Sequence, residues 1–218
     1  SAAHCPTVTQ GRFTESAGGG GGGRTVPGEF CQKGPGGQSV GPQDYAFCKL
    51  ASPVTDVPLT PVVYGCETDI LQAGQPAVIA GFGQTNANNP QSAGTKFYGE
   101  TTINQVINSG GFAGMIAVGG GGTGAWQGDS GGPAYVRYPN DGSWHAFGIV
   151  SGGNPQDIGG PVYYVRMDQI VEWVEQNSGV DITPCFDADG SWNPNPECGE
   201  FATTPDATGN SWNAGCSE

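Results

Sequence analysis

Three leucines stand against seventeen valines and nine isoleucines in the 218 residues of this chain. Side chains branched at Cβ are stiff at the first torsion and pack well on a pleated surface, so this bias constrains the chain to strands. Turn formers divide it into short pieces, at Gly36-Gly37, Asn88-Asn89-Pro90, Asn140-Asp141-Gly142 and Gly152-Gly153-Asn154. Short strands between Gly/Pro-rich turns specify a barrel or a sandwich rather than a helical fold. Strands are expected over residues 77–81, 96–105, 133–138, 144–150 and 162–166, with a hairpin turn over 139–143. One helix is expected over 168–177: Asp168 can cap it, Ile170, Val171 and Val174 share a face, and Gly179 can stop it.

Forty glycines and seventeen prolines, together about a quarter of the chain, carry a signal of low complexity. The five Trp, seven Tyr and nine Phe oppose it, because disordered chains lack aromatic residues. The formal net charge of −13, from 7 basic against 20 acidic residues, argues against nucleic acid, whose backbone must be met by cations. No apolar run reaches the ~18 residues of a membrane span. Residues 18–23 are six consecutive glycines, read as a flexible surface loop, since a phosphate-cradling loop needs a following Lys-Ser/Thr that is absent. Residues 180–218 hold seven of the twenty acidic residues, three of the seven cysteines and no Lys or Arg. There Ser-Trp-Asn occurs at 191–193 and 211–213, each time ahead of a cysteine, Cys198 and Cys216.

The most specific feature is Gly128-Asp129-Ser130-Gly131-Gly132-Pro133. A nucleophilic serine needs a base to take its proton and backbone donors for the developing oxyanion, and flanking glycines allow a tight turn and close approach. The G-x-S-x-G match also fits a nucleophile elbow, but that fold places its acid and histidine after the serine. Only His145 follows Ser130, inside an expected strand, where a histidine with satisfied hydrogen bonds is the plainer reading. The other histidine lies in Ser1-Ala2-Ala3-His4-Cys5, and an acid follows in Gln43-Asp44-Tyr45-Ala46-Phe47. On these residues, in the order His, Asp, Ser, the sequence resembles the chymotrypsin/trypsin-like serine endopeptidases, most closely a bacterial-type secreted member. Secondary likenesses follow in order: Gly81-Phe82-Gly83-Gln84-Thr85, the segment Ile149-Val150-Ser151-Gly152-Gly153, and Pro161-Val162-Tyr163. The likeness covers about residues 1–178 and is close only within the motifs.

The resemblance implies an all-β fold of two six-stranded antiparallel barrels, the first incomplete in this chain, then a C-terminal helix and an acidic disulfide-bonded extension. The expected division is 1–75, 76–166, 167–179 and 180–218. It assigns Ser130 as nucleophile, His4 as base and Asp44 as the carboxylate that orients the imidazole, with the N–H groups of Gly128 and Ser130 as oxyanion hole. Asp129 is then a supporting residue that pairs with an α-amino group made by zymogen cleavage. Gly124, at the pocket base, with Ala125, Trp126, Gln127, Ser151 and Gly153, is expected to bind substrate. No carboxylate stands at Gly124, so an uncharged, apolar residue is expected before the scissile bond. Gly153 on the pocket wall leaves an open slot that suits a large apolar or aromatic residue. Trp126 replaces a pocket-bracing cysteine and Pro161 a wall glycine, and Trp126 would shift the preference toward smaller side chains if it filled part of the slot.

In this family about three strands precede the histidine, whereas three residues do here. The partner of Cys5 is therefore expected outside this chain, on an N-terminal chain of the same precursor. The pairings expected for the other cysteines are Cys31–Cys48, Cys66–Cys185 and Cys198–Cys216, among fifteen arrangements. No cofactor is expected. Calcium at Asp187, Asp189 and Glu197 is weaker than a solvated acidic surface, because the EF-hand pattern is not met. Seven cysteines point to a secreted or periplasmic protein. Two rival readings are a non-catalytic homologue acting as a binding module, and an extension whose Trp192 and Trp212 contact a surface or a glycan.

Overall fold

Main-chain pairing in the computed structural model, which describes residues 1–6, 8–14, 23–36, 39–57, 59–139, 142–154, 157–195, 198 and 216, is almost wholly antiparallel. Strands β1 (Gln10–Thr14), β2 (Gly23–Lys33) and β3 (Ala46–Leu50) form one sheet in that order. Strands β4 (Pro76–Gly81), β5 (Phe97–Ile107), β6 (Met115–Val118), β7 (Pro133–Arg137), β8 (Trp144–Gly153) and β9 (Val162–Arg166) close a barrel in the order β4-β5-β6-β9-β8-β7. The all-β class, the closed six-stranded barrel and the C-terminal helix thus agree with the sequence reading. The chain divides into two compact units. The first is Ser1–Pro53, Gln72–Ala134 and Gly148–Arg166; the second is Val54–Leu71, Tyr135–Phe147 and Met167–Glu218.

In the first unit the barrel strands follow their apolar patterns. All four residues of β6 are buried, as are Ile103, Val150, Tyr164 and Val165 on the strands around it. β8 carries a bulge. Val150 pairs with Tyr164 and Gly152 with Tyr163, so Ser151 is the extra residue, released from the ladder to point elsewhere. Tyr164 has no exposed surface, and burial pushes its phenol well above the ordinary value of 10.0. A raised folded value means full stability below the unfolded value and loss as pH rises past it. Above about pH 10 the unfolded chain releases this proton while the folded chain keeps it, so unfolding free energy falls by about 1.4 kcal/mol per pH unit from this group alone. Urea titrations between about pH 10 and 11 are expected to show that slope, and Tyr164→Phe to flatten it. An identical slope in the variant overturns the assignment.

The second unit is organised around the start of β8. Val63 N–H donates to Ala146 O at 2.9 Å and Ala146 N–H to Pro61 O at 2.8 Å, which leads the chain into a 3₁₀ turn, Gly65–Ile70. The hairpin turn closes with Tyr138 N–H on Ser143 O at 2.7 Å; its residues 140 and 141 lie outside the described residues. Helix α1 runs Val171–Ser178, and the expected cap at Asp168 is corrected: Ile170 is the N-cap and no side chain caps it. A preceding main-chain turn, Ile170 N–H to Met167 O, sets the helix start instead. Gly179 ends the helix in the left-handed conformation, φ 66°, as its position in the sequence suggests.

Disulfide Cys31–Cys48 joins opposed residues of β2 and β3. The other two expected pairings are corrected to Cys66–Cys216 and Cys185–Cys198. The reason is local: Phe186 bridges to Trp192, and Asn193 N–H returns to Cys185 O, so the chain doubles back and brings Cys198 to Cys185 with 4.9 Å between Cα atoms. Phe186 meets Tyr64 edge-on at 5.5 Å and Trp192 at 5.0 Å over the buried Cys185 and Cys198. Trp192 is thus spent on packing within the extension; Trp212 lies outside the described residues. Asp187 accepts from Asn193 Nδ2 and Asp189 from Ser191 N–H, which assigns both carboxylates to turns; Glu197 lies outside the described residues. Among the described residues no three His, Cys, Asp or Glu side chains are grouped to hold a metal ion.

Candidate active site

The first unit brings His4, Asp44 and Ser130 together. Ala2 and Ala3 are buried, Cys5 N–H closes a turn onto Ala2 O, and Ala46 N–H bonds Ser1 O at 2.7 Å, so the histidine turn is tied to the start of β3. Asp44 stands two residues before that strand. Its carboxylate is fully buried and accepts at 2.8 Å from His4 N–H on Oδ1, while Oδ2 lies 2.6 Å from His4 Nδ1. A third contact comes from the β8 bulge: Ser151 Oγ donates to Asp44 Oδ2 at 2.6 Å and accepts from Gly41 N–H at 3.1 Å. The carboxylate on Nδ1 keeps the imidazole proton there, which leaves Nε2 as acceptor. Ser130 Oγ stands 2.9 Å from Nε2.

Ser130 sits in a loop held on both sides. Gly131 N–H bonds Val150 O and Val150 N–H bonds Gly132 O, each at 2.8 Å. Asp129 accepts from Gly83 N–H at 2.7 Å on Oδ1 and from Trp126 N–H at 2.8 Å on Oδ2, so its carboxylate fastens the loop that carries Ser130 to the turn after β4. Gly128 has φ 94°, and a Cβ there would meet Gly83 Cα at 3.1 Å, which restricts the position to glycine. No hydrogen bond among the described residues uses the N–H groups of Gly128 and Ser130. Cys5, outside the three disulfides, directs Sγ to Ser130 O at 3.6 Å, and Lys33 Nζ donates to Cys5 O at 2.9 Å.

Next to Ser130 opens a cavity of about 140 Å³, bordered by Ala125, Trp126, Gln127, Gly153 and, on the far wall, Val162. Four of the expected binding residues are therefore in place around it, and two are not. Gly124 borders a larger cavity of about 280 Å³ with Asp129, Tyr164 and Trp126. Ser151 turns its hydroxyl to Asp44 instead. The wall position expected of Pro161 is taken by Val162, buried at 7% exposure. Pro161 precedes the first residue of β9 and does not border this cavity. The role of Ser151 as a donor to Asp44 is invisible in sequence, since it depends on a bulge.

A protein-family model described as Trypsin matches residues 1–174 of the chain.

Proposed function

Because this chain belongs to the trypsin family, we propose that it is a secreted endopeptidase that cleaves through an acyl-enzyme on Ser130, with His4 as general base and Asp44 as the orienting carboxylate. The observation that carries this reading is the unbroken line of hydrogen bonds from Asp44 Oδ2 through the His4 ring to Ser130 Oγ, 2.6 and 2.9 Å long. As Oγ bonds to the scissile carbonyl carbon, His4 Nε2 takes its proton, and Asp44 stabilises the imidazolium. The oxyanion is received by the N–H groups of Gly128 and Ser130, each worth roughly 3–4 kcal/mol to the transition state. His4 then gives the proton to the leaving amine; water, deprotonated in turn by His4, hydrolyses the ester and restores Ser130. Incubation with a fluorophosphonate and peptide mapping tests this. An adduct on Ser130 with loss of peptide hydrolysis is expected; an unmodified Ser130 in the folded protein overturns the reading and leaves a non-catalytic binding homologue.

The pocket supports a small or branched apolar residue before the scissile bond. Its border is uncharged at Ala125, Trp126, Gly153 and Val162, and at about 140 Å³ with the branched Val162 in its wall it favours a small or branched side chain over an aromatic ring. Val162→Gly is expected to raise kcat/KM for Phe relative to Val at that position by about tenfold or more, the scale set by a few methyl groups in an apolar pocket. An unchanged ratio removes Val162 from the specificity reading.

Three disulfides support an oxidising compartment, and no helix among the described residues is long and apolar enough to cross a membrane. Cys5, the cysteine left outside them, supports attachment of a separate segment of the same precursor. Protein isolated with its thiols blocked should lose mass on reduction by the amount of that segment; equal masses before and after reduction exclude it.

A further inference from the structure

The second unit contains a hydrogen-bonded line that the proposed peptide cleavage does not use. Glu67 and His145, 78 positions apart, are each 1% exposed. His145 Nδ1 lies 3.1 Å from Glu67 Oε2, and Nε2 lies 2.9 Å from Ser143 Oγ. The arrangement is built by the backbone. Pairing of residues 61–63 with Ala146 carries the 3₁₀ turn, and with it Glu67, to the start of β8. Ser143 and His145 are two residues apart, the spacing that puts side chains on one face of extended chain. Tyr138 stacks on the imidazole with 5.1 Å between ring centres, and its N–H holds Ser143 O. Glu67 Oε2 also accepts from Tyr64 N–H at 3.4 Å, which steadies the carboxylate. With the carboxylate on Nδ1, the ring presents Nε2 as acceptor to the serine hydroxyl. The order of atoms is that of Asp44, His4 and Ser130. Ser143, unlike its two partners, keeps partial exposure to solvent.

We propose that Ser143 is a second activated serine, a site of covalent modification by small acylating and phosphonylating electrophiles. Ser143 Oγ forms the bond to the acyl carbon or phosphorus, the leaving group departs with the electron pair of the bond that breaks, and the hydroxyl proton passes to His145 Nε2. Glu67 holds the imidazolium until His145 Nε2 passes that proton to the departing group. Removal of the adduct requires a water activated by a ring that is 1% exposed, so the modified serine persists and the reaction is stoichiometric. This site does not depend on Ser130.

The test uses the full chain with Ser130→Ala, which silences the other serine, treated with a fluorophosphonate and mapped by mass spectrometry. An adduct on the peptide containing Ser143 is expected, forming about a hundredfold faster than on the other serines of the same sample, the scale of a positioned general base. In urea the rate at Ser143 is expected to fall to that of the other serines. Glu67→Gln, which keeps a hydrogen-bond acceptor of the same shape, is expected to slow the adduct at least tenfold, by about 1.4 kcal/mol or more. No adduct on Ser143, or a rate there equal to that of the other serines before denaturation, overturns the proposal without reference to any variant of Glu67 or His145.

Discussion

Asparagine at position 44 is expected to lower kcat for peptide hydrolysis by about four orders of magnitude with KM nearly unchanged. The buried carboxylate accepts three times, from His4 N–H, from the His4 ring and from Ser151 Oγ. An amide of the same shape offers an N–H in place of one oxygen. If that N–H faces His4 Nδ1, the ring must carry its proton on Nε2, where it cannot accept from Ser130. If it faces the other way, it opposes the donor of His4 N–H instead. The first orientation spoils the base and the second gives up the main-chain bond that positions the ring, while packing is kept in both, so the loss falls on the chemical step and leaves ground-state binding intact. Single-turnover kinetics at saturating substrate measure it. A loss smaller than tenfold, with the circular dichroism of the parent, removes Asp44 from the reaction as proposed.

The second large effect is on folding. Glu67→Leu is expected to cost about 3–5 kcal/mol in urea unfolding, because it strands the His145 ring without its carboxylate partner in a place water does not reach. The double variant Glu67→Leu with His145→Leu is expected to recover most of that, since an apolar pair of similar volume carries no polar group that burial has stripped of water. Recovery is the informative part. If the double variant is as unstable as the sum of the single ones, the loss comes from packing and not from the coupling of these two side chains. The same pair of measurements bears on Ser143 only through Glu67→Gln, which keeps the hydrogen bond that leucine removes.

What could be read from the chain follows how local each requirement is. Gly128 is restricted to glycine by its φ of 94°, and a hydroxyl residue flanked by such glycines is a short local pattern, so the hexapeptide around Ser130 declares itself in sequence. The barrel strands β4, β5, β7, β8 and β9 were marked by β-branched runs between turn formers, and their observed limits lie within three residues of those expected. Strand β6 was missed although Met115-Ile116-Ala117-Val118 sits between Gly114 and Gly119, because four residues are too few to establish a period. β2 was missed for another reason. It contains Pro27 and Gly28, residues that weaken strand assignment, and it is held by pairing to β1 and β3 and by Cys31–Cys48. The Cys66–Cys216 bridge, Ser151 under Asp44, and Glu67 beside His145 were beyond reach, since each depends on where distant chain returns.

The Cys66–Cys216 bridge joins positions 150 residues apart. Every peptide bond from 66 to 216 therefore belongs to a single covalent ring, which includes Ser130 and the whole β4–β9 barrel, whereas His4 and Asp44 lie on the linear arm before it. One cut in the ring opens it without releasing a fragment. The molecule gains the mass of one water, keeps both ends tethered, and shows two pieces only after reduction. For a protein proposed to hydrolyse peptide bonds in the company of its own copies, a first self-inflicted nick in any loop of the ring is thus a change of topology and not of composition.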